Sequence, residues 1–156
     1  WEQANPLCHA RPSAPGQFLE SCKMSKMRIA HIAVRVDDMA EARDFYEGVL
    51  GMTEVRSEHH REHYSCHLTD GHIDLSILQY DKGSKTKEAL AAGEKPCIHH
   101  IGFEVDDLEQ GIAQLKERGY EIISDAGVIP VKFRAPGGTL AEIAPSGRFL
   151  RDAAHK

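Results

Sequence analysis

Cysteine is scarce in this chain. The four residues Cys8, Cys22, Cys66 and Cys97 form no C-x-x-C pair, and nothing around them reads as a disulfide scaffold. A reducing, cytoplasmic compartment is the expectation. No run of apolar residues approaches the length of a membrane-spanning helix. Positive charge is also lacking: 19 basic against 24 acidic residues leave a net charge of −5, which argues against nucleic acid or an anionic membrane as partner. Aromatic residues make up only 6%, and the single tryptophan is Trp1. The 41% hydrophobic fraction is still enough to build a core for one domain of this length.

What the chain does contain is a duplication. HHIGFEVDDLEQ, residues 99–110, repeats HIAVRVDDMAEA, residues 31–42. With His31 laid on His100, Ile32/Ile101, Val36/Val105, Asp37/Asp106 and Asp38/Asp107 also agree. A match of this kind marks two copies of one supersecondary unit. Each copy later carries a carboxylate inside an apolar run, Asp74 in IDLSIL and Glu142 in LAEIA, at nearly the same distance from its histidine.

Residues 1–26 hold three prolines and show neither periodicity nor signal-peptide architecture, so they are expected to be a disordered or non-native extension. A single domain is expected over 27–145, with module one at 27–80, a linker at 81–96 and module two at 97–145; a polar tail, 146–156, follows. Alternation predicts a strand over 27–36. Asp37-Asp38 then offers an N-cap to a helix whose stripe is Met39, Ala42, Phe45, Tyr46, Val49 and Leu50, closed by Gly51. Residues 52–56 read as a short strand and 57–62 as a loop. Strands at 63–69 and 72–80 flank the turn Thr69-Asp70-Gly71. A short helix over 86–92 is expected within the linker. The second copy repeats the order: a strand ending at Val105, a helix capped by Asp107, a strand over 120–124, and two strands around Pro136-Gly137-Gly138. The expected fold is α+β, two βαβββ modules forming a curved, mainly antiparallel sheet.

In each copy the first strand carries its histidine on a face of small or polar residues, and the last strand carries the carboxylate. Packed about a pseudo-twofold axis, or exchanged across a dimer, the modules would bring His31, Asp74, His100 and Glu142 together. Imidazole and carboxylate in one cluster suit one divalent ion: Zn, Ni, Co, Mn or Fe(II). A carboxylate inside a sheet is costly to bury alone, which gives a cation there a physical motive. Alternation and the repeat select His100 over His99. His72 competes with Asp74, since the two share a strand face. His59, His60, His63 and His67 are expected on a hydrated loop and outer strand.

At these residues the chain resembles the vicinal oxygen chelate superfamily, which contains glyoxalase I, methylmalonyl-CoA epimerase, extradiol dioxygenases and bleomycin-resistance proteins. HIAVRVDDMAEARDFYEGVLGM is similar to an opening strand and helix of a glyoxalase I module, CIHHIGFEVDDLE to the second opening strand, and FRAPGGTLAEIAP to the closing hairpin. The resemblance spans about residues 27 to 145 and implies paired βαβββ modules around a metal cleft, often in a homodimer. It places His31, His100 and Glu142 at ligand positions. Asp74 falls where glyoxalase I has Glu and the epimerase Gln; being one methylene shorter, it is expected to meet the metal through water or not at all. FRAPGGT lacks the acidic residues of the family's usual DPDG turn.

The implied chemistry is that of a glyoxalase-like lyase or isomerase. The vicinal oxygens of a small substrate chelate the metal, an enolate or enediolate is stabilised, and Glu142 carries the proton. Among the charged residues Arg56, Arg61, Lys132 and Arg134, the one expected to hold an anionic substrate is Arg134. Two other readings stand beside this one. The first is a dioxygenase with a two-histidine, one-carboxylate iron site formed by His31 or His72, His100 and Glu142. The second is a metal-free drug-binding protein, for which the chain is poor in aromatic residues.

Overall fold

The computed structural model describes residues 27–149; the expected extension at 1–26, and 150–156 of the expected tail, lie outside the described residues. Seven strands form one mixed sheet: β1 (Met27–Arg35), β2 (Thr53–His60), β3 (His63–Thr69), β4 (Asp74–Tyr80), β5 (Cys97–Val105), β6 (Val131–Arg134) and β7 (Leu140–Pro145). Their order across the sheet is β2-β3-β4-β1-β5-β7-β6. The copies meet where β1 and β5 pair antiparallel, and each of these strands takes the last strand of its own copy, β4 or β7, as a parallel neighbour. A pseudo-twofold axis therefore passes between β1 and β5.

The two stripe-bearing helices start where expected, but Phe45, Val49 and Leu50 of the first stripe are exposed. Helix α1 (Met39–Arg43) runs on into a π-helical stretch, Asp44–Val49, and is capped by the Asp38 side chain, which accepts from the amides of Ala40 and Glu41. The linker carries α2 (Lys87–Ala92), and α3 (Leu108–Glu117) is capped by Asp107. Such caps contribute about 1 kcal/mol each. Helix α1 sets Met39 and Ala42 against Cys66, Leu68 and Ile77. Helix α3 sets Leu108, Ile112 and Leu115 against Val105, Val131 and Ile143. Both cores occupy the helix-bearing side of the sheet, so the concave side is left for polar groups.

Two elements differ from expectation. The strand expected over 120–124 is reduced to a bridge, Ile122 to Phe133, flanked by the bonds Ile123 N–H to Lys132 O and Arg134 N–H to Glu121 O. Turns around Gly127 and Pro130 break the extended run before a ladder can lengthen. The loop expected over 57–62 is mostly strand. Strand β2 continues to His60, which pairs with His63 across a two-residue turn. Arg61 (φ 49°) and Glu62 (φ 66°) both take the left-handed conformation that such a turn demands.

The pairing of β1 with β5 also holds two register shifts, each leaving one extra residue: Ala30 in β1 and His99 in β5. These positions are equivalent in the repeat, each directly before the histidine of its copy. A bulge turns the following side chain and increases local twist.

Candidate metal centre

Strand β1 brings His31, and β5 brings His100, to the concave face of the sheet from opposite sides of the pseudo-twofold axis. Glu142 arrives on β7, in register with Gly102. All three side chains are buried, at 3%, 4% and 1% exposure. His31 Nε2 lies 3.1 Å from His100 Nε2, Glu142 Oε1 lies 3.3 Å from His100 Nε2, and it lies 3.7 Å from His31 Nε2. A single chain thus brings three of the four expected ligands to one point.

Asp74 is not at that point. Its Oδ2 accepts from His31 Nδ1 at 2.8 Å, the ring nitrogen facing away from the cluster, and both its oxygens lie 3.0 Å from His67 Nδ1. Burial alone would raise the Asp74 carboxyl, but the hydrogen bonds from His31 and His67 outweigh it and hold the group at about 2. An ionised Asp74 makes His31 Nδ1 the donor, which leaves the Nε2 lone pair pointing at the cluster. Histidines that bind metals commonly have such a carboxylate behind them. Strand register explains the displacement. Asp74 pairs with His31 itself, whereas the partner of Ala33, equivalent to Gly102 in the repeat, is Ser76. Ser76 therefore occupies the place that Glu142 fills in the second copy, and its hydroxyl is buried there without a hydrogen-bond partner.

His100 has a different backing. The bulge brings His99 beside it, with the two Nδ1 atoms 2.7 Å apart, and His99 Nε2 lies 2.9 Å from the Tyr80 hydroxyl. Burial first, then the nearby His100 and Lys132, push His99 down to about 3, so its ring is neutral at physiological pH. Burial lowers His100 as well. A neutral His99 can accept from His100 Nδ1–H while donating through Nε2 to Tyr80, which would leave a second lone pair, His100 Nε2, facing Glu142. Simple alternation assigned His99 to the opposite face; the extra residue of the bulge reverses that.

The donor set fits a divalent ion. Nitrogen and oxygen ligands at about 2.0–2.2 Å from one ion stand about 3.0–3.5 Å from each other, close to the three separations observed. Two imidazole lone pairs and a carboxylate oxygen converging in a buried place also need a cation or a proton between them. Burial would raise the Glu142 carboxyl, yet the neighbouring His100 and Lys132 hold it well below the usual carboxylate range.

The cluster lies in a cleft of about 320 Å³ whose wall is mostly polar and includes Arg56, Arg61, Lys132, His63, Tyr80 and Phe149. Lys132 is the residue that the sequence reading most undervalued. Its Nζ stands 2.7 Å from Glu142 Oε2 and 3.8 Å from Glu88 Oε1. Burial alone would lower this amine, but Glu142 and Glu88 outweigh it, so Lys132 stays charged. Arg134 does not line the cleft. It lies two residues nearer the Pro136 turn, held by Glu121 Oε2 at 3.0 Å and the Gly138 carbonyl at 3.3 Å. His72 is exposed in the turn before β4. His67, expected on a hydrated outer strand, instead belongs to the site, and Arg56 Nη2 lies 3.3 Å from its Nε2. The four-residue loop 70–73 sets His67 opposite Ser76, whereas the tight turn that Asp70-Gly71 suggests would set it opposite Asp74.

Gly102 completes the geometry. A Cβ there would meet His31 Cβ at 2.8 Å and the Phe149 ring at 3.0 Å. The missing side chain lets the His31 ring stack on Phe149, centroids 4.7 Å apart and planes 6° from parallel.

Comparison with known proteins agrees with this architecture. The sequence profile of the Glyoxalase/Bleomycin resistance protein/Dioxygenase superfamily matches residues 28–143. The mitochondrial methylmalonyl-CoA epimerase of Bos taurus is 31% identical over 128 residues, covering 74% of this chain and 73% of that protein. A probable lactoylglutathione lyase of Vibrio parahaemolyticus is 32% identical over 121 residues, covering 74% and 80%. The solved structure of a methylmalonyl-CoA epimerase in complex with methylmalonyl-CoA and NH4+ superposes with a TM-score of 0.63 at 19% identity, over 81% of this chain and 98% of that one.

Proposed function

The chain belongs to the glyoxalase/bleomycin resistance protein/dioxygenase superfamily, and on that premise we propose that it is a divalent-metal-dependent isomerase or lyase that moves a proton at the carbon beside a carbonyl. Epimerisation of a malonyl thioester and interconversion of a hemithioacetal with a lactoyl thioester share that step, and relatives of both kinds are similar to this chain. The observation that carries the reading is the convergence of His31 Nε2, His100 Nε2 and Glu142 Oε1 at the inner end of a polar cleft. A divalent ion held by these three would supply Lewis-acid stabilisation of the enolate. Zn, Ni, Co, Mn and Fe(II) all suit the donor set.

The chain's own residues divide the remaining work. Asp74 and His67 orient His31, and His99 and Tyr80 orient His100. Phe149 shields one side of the cluster. Glu142 presents Oε1 to the imidazoles and Oε2 to Lys132, so Oε2 is the atom placed to carry a proton once Lys132 is drawn from it.

The test is solvent exchange. Protein loaded with each metal in turn is given methylmalonyl-CoA, or methylglyoxal with glutathione, in D2O, and deuterium at the α-carbon is followed by NMR. Wash-in with either substrate, absent in His100→Ala, is expected; exchange with neither, under any metal, would overturn the proposal.

A second reading has one observation in its favour. Because Asp74 bonds His31 instead of joining the cluster, the donors reduce to two histidines and one carboxylate, the set of non-haem iron oxygenases. Oxygen uptake by the iron-loaded protein with a catechol would select it. Metal-free binding of aromatic guests has less support, because among the described residues Tyr80 and Phe149 are the only Phe, Tyr or Trp on the cleft wall.

A homodimer is part of the proposal. Ile29 and Ile98, equivalent in the repeat and 56% and 66% exposed on the two central strands, would be covered by a second copy. Light scattering tests it. The free cysteines Cys66 and Cys97 suit a reducing compartment, and no helix among the described residues is long and apolar enough to cross a membrane. Fractionation should compare cytoplasm with mitochondria, where the bovine relative resides.

A further inference from the structure

A second pocket lies on the helix-bearing side of the sheet. It occupies about 420 Å³ between α3 and strands β5, β7 and β6, a size within the range of small-ligand sites. Alternation along the strands separates it from the cleft. Lys132 and Glu142 face the metal cluster, while their neighbours Phe133, Ala141 and Ile143 turn to the pocket. Among the described residues the two walls share none. The pocket wall is mostly apolar: Phe133, Ala141 and Ile143 are buried, and Phe103 and Leu115 are half-buried. Small residues leave the space open, Gly111 on the helix and Ala135 and Ala141 on the sheet side. Polarity gathers where α3 ends. Gln114 and Arg118, one helical turn apart, stand with Tyr120 on the wall, and Arg118 is its one charged side chain among the described residues. A ligand that matches this wall carries its polarity at one end, and a negative charge there.

We propose that this pocket is a binding site for a one-headed anionic amphiphile, a straight-chain fatty carboxylate. Its alkyl chain lies between α3 and the sheet, against Phe103, Leu115, Phe133 and Ile143, and its carboxylate meets the Arg118 guanidinium at the rim. The site is separate from the metal cluster and does not depend on an ion being held there. Burial of the chain supplies the affinity, because water leaves both the ligand and the apolar wall. Arg118 supplies the preference for an anion. A second copy of the chain is the rival occupant, because the exposed Ile29 adjoins the pocket through Phe103, its partner in the pairing of β1 with β5.

The experiment is calorimetric titration of the full chain, without added metal, with octanoate and decanoate below their micellar concentrations and with 1-octanol as the neutral counterpart of octanoate. One site per chain is expected, with affinity rising about tenfold from octanoate to decanoate. Ala135→Phe puts a ring into the space and should abolish binding. Leu115→Gln perturbs the same wall less and should weaken both carboxylates by about tenfold. Ile98→Ser, on the exposed face outside the pocket, should leave them within about twofold. Arg118→Gln should weaken octanoate by about threefold or more and octanol by less than about twofold. Urea denaturation establishes that each variant is folded. No saturable binding by wild type, or full binding by both Ala135→Phe and Leu115→Gln, would overturn the site. So would a wild type that binds no carboxylate and forms a dimer, by light scattering, that Ala135→Phe dissociates, because a second copy then fills the pocket. Equal losses of octanoate and octanol in Arg118→Gln would overturn the anionic class.

Discussion

The two halves of the sheet hold one histidine each at equivalent places and support them with different chemistry. His31 is backed by an ionised carboxylate, Asp74, which His67 steadies. His100 is backed by a neutral imidazole, His99, which Tyr80 steadies. At the next equivalent position the first half has Ser76 and the second Glu142. A carboxylate behind an imidazole raises the basicity of the far nitrogen as well as fixing the ring, whereas a neutral ring only orients it. Duplication thus preserved the backbone and the histidines while the groups around them diverged. The result is a cluster with one strong imidazole arm, one weaker arm and one carboxylate.

The largest effect expected is from removing that carboxylate. Glu142→Ala should lower divalent-ion affinity by about 100-fold or more and leave Lys132 without its nearest anion. Elemental analysis after purification without nickel would measure it, and full retention of the ion would show that the cluster is not the metal site.

The next predictions set the arms against each other. Asp74→Asn should weaken ion binding by about 10- to 100-fold, and His99→Phe by less, because no charge is lost behind His100. Equal losses would remove the distinction between the arms. Asp74 also gives a pH signature in the metal-free protein. Its folded value of about 2 lies below the ordinary 3.8, so its stabilisation is complete above pH 4 and disappears as pH falls from about 4 to below 2. The amount is about 2 kcal/mol. Urea midpoints across that interval should be flatter in Asp74→Asn than in wild type.

Ser76→Glu makes the halves alike by supplying the second carboxylate. It should tighten divalent-ion binding by about tenfold, read by competition with a chelating dye; unchanged affinity would mean that Ser76 does not face the ion. The smallest effect on the ion is expected from Gly102→Ala, whose counterpart in the first half, Ala33, already carries a Cβ. The new methyl meets His31 and Phe149, so stability should fall by about 1–3 kcal/mol in urea denaturation. Wild-type stability would mean that the His31–Phe149 stack gives way easily.

The sequence alone determined the duplication, the two capped helices, the sheet strands they follow, and the candidacy of His31, His100 and Glu142. These are local signals, because a period of two or of 3.6, or a repeated motif, is written in neighbouring residues. It did not determine that Asp74 stands behind His31 while Ser76 takes the facing position, because that depends on which residues of β1 and β4 pair, two strands far apart in the chain. Nor did it determine that His99 lies beside His100, because a bulge adds a residue without marking its composition. Lys132 looked like a surface lysine on a short strand. Which residue it faces depends on the length of the loop between β6 and β7, whose register pairs it directly with Glu142. Local pattern decides which face of an element a side chain occupies; strand register and bulges decide which side-chain ends meet, and the chemistry of the cleft depends on that meeting.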